Sequence, residues 1–125
     1  MNVVYDAGVF VGADRNDRDI WADHKVRLDA GLIPLAPAPV VAQVSRSNRQ
    51  VSFRRFLRGC DVVPFAPDEA HDVGLLLKKA RTSDVVDAHV VAIASKTRST
   101  VITGDVSDLE HLSKKLSTPV SVRSL

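Results

Sequence analysis

Residues 83–109, SDVVDAHVVAIASKTRSTVITGDVSDL, decide how this chain is read. From Asp84 to Lys96 the residues are almost all apolar, which predicts a helix buried on most sides. Thr100 to Thr103 is a short β-branched run and predicts a core strand. Ser107 to Leu116 returns to helical spacing. The stretch is therefore a helix–strand–helix unit with acids at its joints. Asp84 and Asp87 open the first helix, Asp105 lies just past the strand, and Asp108 falls in the first turn of the second helix.

The same alternation extends in both directions. Upstream, Asn2 to Tyr5 is a strand ending at Asp6, and Asp19 to Ala30 is an amphipathic helix with Ile20, Ala22, Val26 and Leu28 on its apolar face and Gly31 as its stop. Leu32 to Leu35 is a short strand, and Pro39 opens a helix running through Val44. A basic helix covers about Gln50 to Arg58, Cys60 to Phe65 is a strand, and Pro67 to Arg81 a helix with Ala70, Val73, Leu76, Leu77 and Ala80 on one face. Downstream, Val120 to Val122 closes the series as a strand. Strands alternating with helices give βαβ units, so the fold class is α/β. The expected architecture is a three-layer α/β/α sandwich with a central parallel sheet, in one domain spanning 1–125.

Composition narrows the function classes. At 125 residues and 45% hydrophobic content the chain can bury a core without staples. Cys60 is the only cysteine, which excludes an internal disulfide and suits a reducing, cytoplasmic setting. No apolar run has the length of a membrane span, and the N-terminus lacks the pattern of a secretory leader. A net charge of +2 hides a strong segregation. Only two acids are glutamates, Glu69 and Glu110, so the acidity is carried by aspartates. Val44 to Gly59 holds Arg46, Arg49, Arg54, Arg55 and Arg58 with no acid, a pattern suited to RNA phosphates or an acidic partner, with a plain solvated face as the alternative.

In open parallel sheets ligands bind outside the carboxyl ends of the strands. Asp6 and Asp105 both follow strands, and Asp87 sits on or near an apolar helix face. Each has a structural alternative: Asp84 as a helix cap, Asp87 as a first-turn acid favoured by the helix dipole, Asp105 as the cap of the helix holding Asp108. Together they point elsewhere. Two unit charges ~4 Å apart repel by ~1 kcal/mol in water and ~4 kcal/mol at an effective dielectric of ~20. A cluster of carboxylates persists only if protonated or if it binds a hard cation, of which Mg2+ or Mn2+ is the natural choice. Such ions position a water for in-line attack on a phosphodiester and neutralise the leaving oxygen.

At these residues the sequence resembles the PIN domain family, and within it the VapC-type toxins of bacterial toxin–antitoxin pairs. Asp6 in VVYDAGVF matches the family's first acid, Asp87 in SDVVDAHVVAIA the acid opening a buried helix, and Thr103, Asp105 and Asp108 in VITGDVSDL the strand-end pattern. The resemblance implies metal-dependent endoribonuclease activity, with Asp6, Asp87 and Asp105 catalytic and metal-binding, Asp108 at the metal, and Asp84 and Thr103 in support. It also implies a homodimer and an antitoxin partner whose tail blocks the acidic pocket. One position departs: where the family commonly has glutamate in the helix after the second strand, PAPVVAQVS has Gln43, which can offer an oxygen but no charge. Ala7 and Gly8 also stand where a hydroxyl is frequent. The competing reading is a catalytically weak PIN domain that acts mainly by binding an antitoxin or RNA.

Other chemistries find little support. His24, His71, His89 and His111 lack zinc-site spacing and read as surface or partly packed residues, and no glycine-rich phosphate loop is present. Trp21 and Phe53 read as packing residues. A receiver-like domain would need a suitably placed lysine after the last strands, and the chain has none at such a place.

Overall fold

The computed structural model describes residues 2–125. Five parallel strands form one sheet in the order β3-β2-β1-β4-β5: β1 Val3–Tyr5, β2 Leu35–Pro37, β3 Asp61–Val63, β4 Thr100–Thr103 and β5 Val122–Ser124. The helices are α1 Ala7–Asp14, α2 Arg18–Asp29, α3 Ala38–Val44, α4 Val51–Leu57, α5 Pro67–Ala80, α6 Val85–Thr97 and α7 Val106–Ser113. One group gathers around α1, which packs on α2, α3 and α4; the other gathers around α6, which packs on α5 and α7. The three-layer α/β/α architecture follows. β1 and β4 are fully buried, as expected of central strands covered on both faces. The strand order reverses direction at β1, with β2 on one side and β4 on the other, and there the crevice for a ligand opens.

Several elements differ from the sequence reading, each for a physical reason. The helix α1 was not expected. AGVFVGAD carries two glycines and is apolar on nearly every side, so it has no amphipathic signal, and it forms because Val9, Phe10 and Ala13 are buried. In α2 the expected stripe is wrong: Val26 is 68% exposed and Leu28 37%, and the packed face is Ile20, Trp21 and the buried His24. β2 begins at Leu35, where the expected strand ended, and continues through Pro37, whose missing N–H is tolerated at a strand end leading into α3. β5 likewise begins at Val122, where the expected strand ended. His24 and His89 are not surface groups; both are buried. His24 stacks on Phe56 at 3.8 Å between centroids, and its Nδ1 meets the Tyr5 hydroxyl at 2.9 Å. Phe53 is buried as expected, and Trp21 packs edge-on against Phe56 while its indole N–H donates to the Ala13 carbonyl.

Candidate functional site

β1 and β4 are hydrogen-bonded neighbours, with Tyr5 in register with Ile102, so Asp6 and Asp105 leave the sheet at the same edge. Asp6 is tethered there from both sides. Its backbone N–H donates to the Ile102 carbonyl at 3.0 Å, and its carboxylate accepts the Thr103 hydroxyl at 2.7 Å. The Thr103 oxygen in turn accepts the Asp105 backbone N–H at 2.9 Å. This chain of bonds locks the Asp6 carboxylate relative to the Gly104-Asp105 turn; it is charge-assisted and buried, the setting in which such bonds are strongest. Asp6 also stands at the N-cap of α1 without capping it, so its oxygens are not consumed by the helix. Gly8 allows the close approach: a Cβ there would meet the Gly104 backbone nitrogen at 3.4 Å and the Leu125 side chain at 3.3 Å.

A cleft of about 280 Å3 opens at this edge, lined by Asp6, Gln43, Asp84, Asp87, Asp105 and Asp108 together with Ala7, Gly8 and Gly104. Among the described residues no lysine or arginine lines it. The charge is therefore uncompensated, and the protonation of its acids registers this. Burial, then the neighbouring carboxylates of Asp84, Asp6 and Asp105, push the Asp87 carboxyl up to about 7 from an ordinary 3.8. A shared hydrogen bond with Asp105 raises the exposed Asp108. Asp84 caps α6 by accepting the Asp87 N–H at 3.0 Å, as its position suggested, and also lines the cleft. Gln43 reaches the cleft from α3 while Val40 and Val44 beside it are buried. Among the described residues no three His, Cys, Asp or Glu side chains already stand as an ion-holding group. The donor set is nonetheless all oxygen and all anionic or neutral, the chemistry of a hard divalent cation.

The five arginines of the basic segment are not equivalent. Arg46 is turned back on the main chain, bonding the Ser45 carbonyl at 2.7 Å and the Ala42 carbonyl at 3.3 Å. Arg55 lies over the Trp21 ring at 5.3 Å. Arg54 on α4, Arg58 one helical turn later at its cap, and Arg49 before it are exposed and make no ion pair among the described residues. Gln50, which the sequence did not single out, organises the loop ahead of α4: its Oε1 accepts the Arg46 N–H at 2.6 Å and its Nε2 donates to the Val44 carbonyl at 3.0 Å.

Two buried polar features lie outside the cleft. His89, on α6 two residues after Asp87, is fully buried beside Phe65. Its Nε2 is 3.2 Å from Glu69 Oε2, an ion-pair distance, yet the alignment is too poor for a hydrogen bond to either ring nitrogen. Burial therefore dominates and holds the imidazole below its ordinary 6.5. Burial likewise raises the Cys60 thiol to about 12, which makes it a packed, unreactive group. No helix among the described residues is long and apolar enough to cross a membrane.

Neither the protein-family comparison nor the search of curated proteins finds a match to this chain. Solved structures do match. VapBC2 from Rickettsia felis, bound to a DNA fragment from their promoter, aligns with a TM-score of 0.73 at 14% identity, over 100% of this chain and 99% of that one. FitAB bound to the IR36 DNA fragment gives 0.65 at 17% identity, over 98% and 94%. PAE2754 from Pyrobaculum aerophilum gives 0.65 at 10% identity, over 98% and 89%. At such identities the likeness establishes a shared fold, along essentially the whole chain.

Proposed function

We propose that the protein is a divalent-metal-dependent endoribonuclease and the toxin component of a toxin–antitoxin pair. The observation that carries the reading is the acidic cleft at the carboxyl ends of β1 and β4, where Asp6, Asp84, Asp87, Asp105 and Asp108 converge without a balancing cation. Asp6, Asp87 and Asp105 would hold Mg2+ or Mn2+, with Asp108 beside them; the exposed Asp105 and Asp108 have the freedom to close on an ion. When bound, the ion supplies the positive charge that lets the carboxylates stay ionised together and that offsets charge building on a phosphodiester. Thr103 keeps Asp6 aimed through their 2.7 Å bond, and Asp84 fixes the first turn of α6 and hence Asp87. Arg49, Arg54 and Arg58, which make no ion pair among the described residues, offer cations for an RNA backbone. The folds of VapBC2 and FitAB are those of toxin–antitoxin complexes, which supports an antitoxin partner.

Gln43 favours a second reading, a weak catalyst that acts mainly by binding an antitoxin or RNA, because it brings to the cleft an oxygen without charge. Cleavage of an RNA mixture with Mn2+, with excess chelator, and by Asp6→Asn separates the two. The nuclease reading expects activity that needs the ion and vanishes in Asp6→Asn while the circular dichroism spectrum is kept. Activity undiminished by chelator or by Asp6→Asn refutes it.

A further inference from the structure

A second cleft, larger than the acidic one, is at the other end of the sheet. A cleft of about 470 Å3 opens beside the amino ends of β4 and β5, between the end of α6 and the loop that leads into β5. Its polar lining is Ser95, Ser99, Thr100, Ser117, Thr118 and Ser121 with Arg98, and no carboxylate side chain is part of it. The hydroxyls of Ser95, Ser117, Thr118 and Ser121 have no protein hydrogen-bond partner among the described residues, and Arg98 has no ion-pair partner there. Arg98 holds a left-handed conformation, φ 55°, at the end of α6, a position that ordinarily favours glycine. A guanidinium is thereby kept at the rim at a conformational cost.

We propose that this cleft is a binding site for a small phosphorylated ligand of sugar-phosphate size, with the phosphate at Arg98 and the hydroxylated body among the serines and threonine. Guanidinium and hydroxyl groups are the donors that match phosphate oxygens, and the hydroxyls can also accept from a polyol. The volume lies within the range of small-ligand pockets. The carboxyl end of α6 opposes an anion with about half a charge, but its last carbonyls are already taken: Arg98 N–H bonds Ala94 and Ser95, and Ser99 N–H bonds Ala94 at 2.9 Å. The full charge of Arg98 prevails. The site is remote from the acidic cleft and does not depend on how that cleft is read.

The test is an amide chemical-shift titration of the full chain with ribose 5-phosphate, with ribose as the control lacking phosphate, at constant ionic strength. Saturable shifts at Ser95, Arg98, Ser99 and residues 117–121 are expected with ribose 5-phosphate and not with ribose. Arg98→Gly removes the guanidinium and suits the left-handed backbone, so the variant stays folded; its affinity should fall by about tenfold or more. The proposal is overturned if ribose 5-phosphate leaves these amides unmoved, if its shifts map to residues 46–58 instead, if ribose binds equally well, or if Arg98→Gly binds as the wild type does.

Discussion

Asp87 is the residue at which stability and function should conflict most sharply. Without a cation, ionising it costs the fold, because burial and three nearby carboxylates oppose the charge. Its carboxyl is pushed from 3.8 up to about 7, a gap of about 3 units, or a ceiling of about 4 kcal/mol at 1.36 kcal/mol per unit. The group is only partly buried, so solvent screening reduces the usable figure to about 1–2 kcal/mol. The direction follows from proton counting. The native state holds this proton more tightly than the unfolded chain, so stability falls as pH rises from about 4 through about 7. Asp87→Asn keeps the shape and can still donate to Asp84, but carries no charge. In chelator at about pH 8 the variant should be more stable than wild type by about 1–2 kcal/mol, roughly 5 °C in Tm for a chain of this size. The advantage should shrink toward about pH 4 and be reduced by Mn2+, which rewards the ionised wild type. Urea melts of both proteins across pH, with and without Mn2+, measure it. An Asn variant that is less stable than wild type in chelator at about pH 8 would refute the view that this acid is held against its own preference.

Further outcomes follow from the same geometry. Gln43→Glu adds the charge missing from the cleft and should tighten Mn2+ binding by calorimetry and raise RNA cleavage at low metal; identical affinities and rates would detach Gln43 from the site. Arg54→Gln with Arg58→Gln removes two exposed, unpaired cations and should flatten the salt dependence of RNA binding by about one unit of slope for each phosphate no longer neutralised, while Arg46→Gln should change it less because that guanidinium is spent on main-chain carbonyls. His24 and His89 are held below their ordinary 6.5 by burial, so they favour the fold above that value and withdraw stability as pH falls through their lowered native values. This acts against the Asp87 effect in the same window. In the Asp87→Asn background, where that effect is gone, the urea midpoint should decline steadily below about pH 6.5; a flat profile would contradict the burial of both rings.

What could be read from the sequence divides along physical lines. β4 and α6 were legible because their signals are local: a β-branched run between turn residues, and an apolar run of helical length opened by Asp84 as a cap. The acids of residues 83–109 were legible for the same reason, since a strand end or a helix start fixes where the side chain emerges. The helix α1 was invisible because two glycines and two valines offset the alanines of AGVFVGAD and no amphipathic pattern marks it; α1 packs on α3, α4 and the sheet, and tertiary burial supplies what propensity lacks. The face of α2 was misread because an apolar-residue count ranks Val26 and Leu28 above His24, whereas it is His24 that stacks on Phe56 and bonds Tyr5 in the aromatic cluster.

The missed helix bears directly on the cleft. Asp6 follows β1 and also begins α1, so the turn between them sets where its carboxylate points. With α1 in place its backbone closes on Gly104, the Thr103 hydroxyl comes within 2.7 Å, and Asp6 is buried to 7% exposure beside Asp87 and Asp105. Burial and Asp84 do most to lift Asp87; the further share that comes from Asp6 is a product of α1 packing, which the sequence does not announce. In this chain the Asp6 N–H bond to Ile102 and the hydroxyl of Thr103 together orient Asp6, and a Cβ at position 8 would meet the Leu125 side chain at 3.3 Å and the Gly104 nitrogen at 3.4 Å.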